Sequence, residues 1–165
     1  MKKLLAIILA AALLAACSVT AFAEGINQDS DPKKQNAVIS TDVAPQYLVS
    51  IPANTTVTFN TELTDFGAVE LTSARLDPDK CVTVTLTTNG KLKNSVDDTK
   101  VIPYTIVKGT AQNATTNAYT SAVYLAAGAK TDLTIKITQD AWNQAYAGHY
   151  GDTVTFDVAY MTIPE

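Results

Sequence analysis

The chain alternates apolar and polar residues with a period of two over most of its length. Val82, Val84 and Leu86 are separated by threonines, and the same pattern runs through residues 132–138 and 153–160. Successive side chains of a β-strand point to opposite faces, so each segment has one apolar face and one threonine-rich face. Antiparallel sheets with one face in water show this alternation, whereas buried parallel strands are apolar on both faces. The pattern therefore predicts antiparallel sheets.

Turn signals divide the pattern into separate strands. Asn89–Gly90 is a hairpin signal because both residues tolerate positive φ, and we expect it to join Val82–Thr88 to a short strand at Lys91–Lys93. Pro103 within Lys100–Lys108 indicates an edge strand, since proline has no N–H to donate. Apolar strand faces must be buried against one another. The sequence thus predicts an all-β fold, an antiparallel immunoglobulin-like β-sandwich of about eight to ten strands.

The register of alternation also predicts which side chains are buried. Val84, Ile135, Phe156 and Val158 fall on apolar faces and are expected in the core, while Thr155 is expected to face solvent.

Two further segments are less regular. Gln139–Ala147 is the best candidate for a helix, or else a turn that carries Trp142 into the core. Asn36–Val43 alternates modestly, with Ala37, Ile39, Thr41 and Val43 on one side. We expect it to pair within its own domain. Pairing with a neighbouring molecule is the alternative, because backbone groups are the same in both cases.

The first residues have the features of a secretory signal. Lys2 and Lys3 precede the apolar run Leu4–Ala16, which is shorter than the roughly 20 residues of a membrane-spanning helix. An A-x-A site ends at Ala23, and we expect cleavage there and a secreted or cell-surface location. Cys17 follows Leu-Ala-Ala, as in a lipobox, so a lipoprotein with lipid on Cys17 is the alternative.

This leader sets the predicted domain organisation. Residues 1–23 form the signal peptide, 24–36 a flexible polar tether and 37–165 the β-sandwich domain. Cleavage after Ala23 leaves 142 of the 165 residues, a typical size for one domain.

The charge of the chain limits the classes of partner it can bind, and its cysteine content limits its disulfides. The whole chain has a net charge of −4, and loss of the leader, which holds two lysines and no acid, makes it −6. An acidic chain without basic runs argues against binding nucleic acid, and membrane contact is expected only through the signal peptide or a lipid on Cys17. One cysteine, Cys81, is left to the mature domain for pairing, so no intramolecular disulfide is expected.

No residue pattern predicts catalysis, a cofactor or a metal site. His149, the single histidine, lies in a glycine-bounded turn without an evident nucleophile. The acidic pairs Asp77/Asp79 and Asp97/Asp98 are too sparse for calcium, which takes about six to eight oxygen ligands, and they suit turns instead. We therefore predict that the protein is not an enzyme.

Aromatic residues are the candidate ligand contacts. Trp142, Tyr146 and Tyr150 could stack on a sugar, because aromatic rings combine an apolar face with a polar tip. Their scatter along the chain favours packing in the core or at its rim, and convergence in the fold would instead predict a carbohydrate-binding surface.

Two segments resemble known surface proteins. Gln46–Ala53, with the pattern Y-x-V-x-I-P-A, and Ala147–Val158, with A-G-x-Y-x-D-x-V-x-F-x-V, resemble secreted immunoglobulin-like surface proteins of Gram-positive, clostridia-like bacteria. The closing strand is also similar to the terminal strand of fimbrial and spore-coat-like pilin subunits. The resemblance implies a β-sandwich displayed at, or released from, the cell surface.

These observations favour a non-enzymatic, secreted or cell-surface structural or adhesion module. Its expected partner is a cell-surface polymer, a carbohydrate or another protein. The alternatives are a carbohydrate-binding module and a pilin-like subunit that assembles by strand addition.

Overall fold

The structure, a computed structural model, describes residues 26–30, 33–34 and 36–164. The chain divides after Asp42. In the first unit the described residues include a turn at Asn27–Ser30, where the Asp29 N–H donates to Asn27 Oδ1 at 2.9 Å. The predicted signal peptide and the candidate lipidation site Cys17 lie outside the described residues.

The second unit is built from antiparallel strands, which confirms the prediction of an all-β, sandwich-like fold. A four-stranded first sheet has the order β1-β2-β8-β6, a second sheet the order β10-β3-β7, and a small third sheet the order β5-β4-β9. The elements of the described chain are β1 (Gln46–Ser50), β2 (Leu63–Arg75), β3 (Lys80–Thr87), β4 (Lys91–Asn94), β5 (Val101–Pro103), β6 (Thr105–Lys108), β7 (Ser121–Tyr124), β8 (Lys130–Lys136), α1 (Gln139–Asn143), β9 (Tyr150–Gly151) and β10 (Thr155–Thr162).

The hydrophobic core joins the inner faces of the first two sheets. Leu71 on β2 and Leu133 on β8 come from the first sheet, and Val84 on β3 from the second; all three are almost completely buried. Ile135 is buried beside them. The predicted core positions Val84 and Ile135 are therefore confirmed.

The short helix α1 closes one end of the core. Thr138 caps it, accepting a hydrogen bond from the Ala141 N–H at 3.3 Å, as N-terminal threonines commonly do. The helix buries Trp142, whose Nε1–H donates to Thr61 O at 3.0 Å. The helix ends at Asn143, earlier than the candidate segment, and it does carry Trp142 into the core.

The predicted hairpin at Asn89–Gly90 is wrong. β3 is flanked on one edge by β10 and on the other by β7, so it has no edge left for β4. β4 instead pairs with β5 and β9 in the third sheet. Gly90 has the positive φ of 64° that the sequence implied, but it connects two sheets rather than two neighbouring strands.

The segment Lys100–Lys108 is two strands, not one. β5 belongs to the third sheet and β6 to the first, and Tyr104 lies between them. The Tyr104 N–H donates to Gly90 O at 2.9 Å, which fixes the point where the chain changes sheets. Pro103 does lie in an edge strand, β5, as predicted.

The strand expected at Asn36–Val43 is also absent from the structure, where residues 36–45 have no regular secondary structure. Ladder hydrogen bonds and covered side chains are what stabilise a strand, and an unpaired segment has neither. Val38 and Ile39 are 90% and 97% exposed.

Candidate functional site

Among the described residues, the outer edge of β10 is the longest free strand edge. In the described chain β10 pairs only with β3, with Ala159 opposite Thr83. The Ile163 N–H donates to Asp79 O on the β3 side, so every second residue before it also directs its backbone groups to β3. The backbone groups of the intervening residues Phe156, Val158, Tyr160 and Thr162 therefore point away from the sheet.

The same four residues direct their side chains to the inner face of the second sheet. Phe156 and Tyr160 pack against the core there, and Val158 between them shares their face because side chains alternate. Val158 is nevertheless 40% exposed. The predicted inward facing of Phe156 and Val158 is thus confirmed, but Val158 is not buried, because no strand of the described chain covers this edge of the core.

β1, the edge strand of the first sheet, faces β10 across this gap. The rings of Tyr47 and Tyr160 stack with their centroids 5.8 Å apart, which joins the two strands at one end. Near the other end Phe66 on β2 packs against Phe156 at 6.2 Å. We call the strip between these two aromatic contacts, with Val158 at its centre, the β1–β10 groove.

A polar contact fixes the Tyr160 end of the groove. The Tyr160 hydroxyl accepts a hydrogen bond from the Asp77 N–H at 2.8 Å and donates to Asp77 Oδ2 at 2.9 Å. Desolvation raises the pKa of Tyr160; the backbone bond opposes this and the Asp77 carboxylate adds to it. The turn at Asp77–Asp79, singled out from sequence as a turn, therefore positions the end of β10.

Apolar side chains on and beside β1 remain exposed. Leu48 and Ile51 are 61% and 51% exposed, and Val49 is half-buried. β10 itself, with the sequence TFDVAYMT, carries neither lysine nor proline. Natural proteins commonly protect long sheet edges with these residues or with other charges. The one charged residue of β10, Asp157, lies on its outer face, so the inner side of this edge lacks such protection against pairing with another strand.

The aromatic residues proposed from sequence do not form one platform. Trp142 is buried and makes an edge contact with Phe59 at 5.5 Å between centroids. Tyr146 is mostly exposed, and Lys100 Nζ lies 4.8 Å from its ring centroid. Tyr150 is half-buried and donates its hydroxyl hydrogen to Tyr146 O at 3.0 Å. Of the three, Tyr146 alone exposes most of its side chain.

The reactive residue types are scattered or occupied. Cys81 is buried on β3, and His149 is exposed in its turn, where its carbonyl accepts from the Ser95 N–H at 2.8 Å. Asp97 accepts from the Thr99 hydroxyl and N–H, which hold the pKa of its carboxyl below the ordinary value. In the described ranges no three histidine, cysteine or acidic side chains cluster as a metal site would need.

One polar cluster lies beside an open cavity of about 330 Å³. The Tyr104 hydroxyl donates to Asp152 Oδ2 at 2.7 Å, and the Thr88 hydroxyl lies 2.7 Å from the Tyr104 oxygen and 3.2 Å from the same carboxylate oxygen. Burial raises the pKa of Tyr104 to about 12. A phenol held neutral in this way is a poor base, and the cluster serves to connect the loops around β5 and β9.

Comparisons with protein-family models and with curated proteins find no match for this chain. Within the part that the structure describes, the helical content offers nothing of the length and hydropathy needed to cross a bilayer. The groove was not foreseen from sequence. The sequence feature related to it is the apolar alternation at Asn36–Val43. This segment has the pattern of a strand but forms no strand in the described structure.

Proposed function

We propose that this chain is a non-enzymatic structural subunit of the cell surface that assembles with copies of itself by strand addition. One observation carries the proposal: the outer edge of the eight-residue β10 has no strand partner among the described residues, and beneath it the inward-facing Val158 is exposed. A free edge of this kind is a template for a further strand.

A strand added at this edge gains two kinds of interaction. Its backbone can pair with the outward N–H and C=O groups of β10, and these bonds are independent of sequence. Its inward side chains can cover Val158 and the neighbouring part of β1, which removes apolar surface from water. Backbone pairing and apolar burial would both contribute to affinity. Specificity would come from the apolar side chains.

The segment Asn36–Val43 of another copy is the strand that best fits this edge. It has eight residues, the same number as β10, and no strand partner of its own. Ala37, Ile39, Thr41 and Val43 form a mostly apolar side that matches an apolar groove. Pro45 separates the segment from β1, so it can act as an independent donor.

The surface location rests on the predicted leader at residues 1–23. Cleavage after Ala23 would release a subunit whose donor segment lies close to the new N-terminus. Lipid on Cys17, the alternative processing, would leave the same segment between the lipid and the sandwich.

The test uses the mature chain, residues 24–165, with substitutions in the donor segment. We expect the unmodified protein to form concentration-dependent multimers in light scattering after size exclusion. Ile39→Asp should abolish them, because a carboxylate would be placed in the apolar groove.

Val38→Asp is the matched control, since residue 38 lies on the opposite side of the segment and its charge would stay in water. It should assemble like the unmodified protein. A mature chain that stays monomeric at its highest soluble concentration would refute the proposal, as would equal loss of assembly in both variants.

A further inference from the structure

The geometry points to one arrangement of the donor: it runs antiparallel to β10 with Ile39 opposite Val158, and it comes from a second molecule. This inference rests on the proposed assembly by strand addition, and it specifies the partner and the register.

The register follows from where the groove is open. Residues directly opposite each other in antiparallel strands share a face, so the apolar side of the donor faces the inner residues of β10. Tyr160 and Phe156 are already packed against Tyr47 and Phe66, and the exposed Val158 lies between them. The gap therefore calls for one large apolar side chain opposite Val158.

Ile39 is the largest side chain on the apolar side of the donor. With Ile39 opposite Val158, the small Ala37 meets Tyr160 and Thr41 meets Phe156. A shift of two residues in either direction would bring Ile39 against one of the aromatic contacts and leave Ala37 or Thr41 at the gap. The sizes of the donor side chains thus match the groove in one register.

Charge supports the same direction. In this register Lys34 comes opposite Ile163, whose N–H donates to Asp79 O at 3.0 Å. The Asp79 carboxylate is largely exposed, and its contact with Lys80 is a loose 3.8 Å. Lys33 and Lys34 of the donor would therefore arrive beside an acidic turn, a favourable though screened interaction.

The connection from the donor segment to β1 argues against antiparallel pairing within one molecule. Val43 would lie opposite Val154, six residues along the strand from Tyr160, which is roughly 20 Å at about 3.3 Å per residue. Tyr47 stacks on Tyr160 of the same molecule, at the other end of the groove. The four residues from Val43 to Tyr47 span at most about 14 Å when fully extended, so the chain would have to run back along the groove almost fully stretched. A donor from a second molecule needs no such stretched connection.

Each molecule would then donate one segment and accept another at a different surface. Such a head-to-tail contact does not close on itself unless the rotation between subunits happens to form a ring, and it otherwise produces a linear polymer.

Disulfide trapping tests the register. With Ile39 opposite Val158, Val38 lies opposite Ala159 on the outer face, in a non-hydrogen-bonded pair with a Cα separation of about 4.5 Å, within disulfide range. We would combine Val38→Cys with Ala159→Cys, and separately with Asp157→Cys or Met161→Cys as neighbouring registers. All variants carry Cys81→Ser, because Cys81 lies opposite Met161.

We expect oxidation of the Ala159→Cys combination to give a ladder of covalent multimers on non-reducing gels, several-fold stronger than for the other two. A stronger ladder with either neighbour would overturn the register and leave strand addition standing. Multimers that none of the three cysteine pairs can trap would also overturn the register. A cross-linked monomer would overturn the claim that the donor is a second molecule. If the Cys81→Ser parent forms no multimers while the unmodified chain does, the disulfide trapping is repeated in chains that retain Cys81. The repeat uses the combinations of Val38→Cys with Ala159→Cys and with Asp157→Cys. Failure of the unmodified chain to assemble refutes the proposed function itself.

Discussion

β8 and β10 have the same alternating pattern in the sequence, but they differ in what covers them. On β8, Leu133 is 1% exposed. On β10, Val158 holds the corresponding inward position and is 40% exposed. The two side chains differ by one methylene, so hydrophobicity does not explain the contrast.

The difference comes from the neighbours of each strand. β8 pairs with β2 on one edge and with β6 on the other. Its outer face is covered as well, and Thr134, which the alternation assigns to solvent, is fully buried with its hydroxyl donating to Gly109 O at 2.7 Å. β10 pairs with β3 alone. An edge strand thus keeps its alternating pattern, but a neighbouring strand shields its side chains on one side only. The unshielded side of β10 is where we propose assembly.

The largest expected effect contrasts the two inward positions. Leu133→Ala should lower the free energy of unfolding by about 2–5 kcal/mol, through lost transfer energy and a cavity. Val158→Ala should lower it by about 1 kcal/mol or less, because the side chain is partly in water already. Chemical denaturation of the monomeric fraction measures both. Equal losses would show that the edge of β10 is covered in solution even in the monomer.

The second prediction concerns an enclosed tyrosine. Tyr104 is almost buried, and burial raises its pKa from 10.0 to about 12. The unfolded chain releases this proton first, so raising the pH from about 10 to 12 favours unfolding, by up to about 1.4 kcal/mol per pH unit for one group.

The free energy of unfolding, measured by chemical denaturation across this pH range, should therefore fall less steeply with pH for Tyr104→Phe than for the unmodified protein. Tyr146→Phe, which removes a hydroxyl at an exposed position, is the control. An unaltered slope in Tyr104→Phe would show that the Tyr104 hydroxyl is accessible to water in the folded state.

The smallest effect contrasts two threonines that the sequence places on polar faces. Thr134→Ala should cost about 1–2 kcal/mol, because Gly109 O would lose its buried donor. Thr155→Ala, on the exposed face of β10, should cost less than about 0.5 kcal/mol. The same denaturation assay measures both. A comparable loss at Thr155 would mean that the outer face of β10 is also covered.

The sequence by itself determined the local features of this fold. Alternation identified the β-class and the inward faces of β3 and β8, and the missing N–H of Pro103 identified its edge position. Each of these follows from the chain's own period or from the chemistry of one residue, such as the missing N–H of proline, and needs no knowledge of distant segments.

Only the tertiary structure decided which strands are neighbours. The pairing of β3 with β10 joins residues some 70 positions apart, and it displaced the hairpin expected at Asn89–Gly90. Thr134 is buried with its hydroxyl bonded to Gly109 O, and Val158 is exposed because no described strand lies beside β10. Strand edges are chemically alike, because every residue except proline offers the same N–H and C=O groups. Which edges are paired and which stay free is therefore set by the packing of the whole domain rather than by any local pattern.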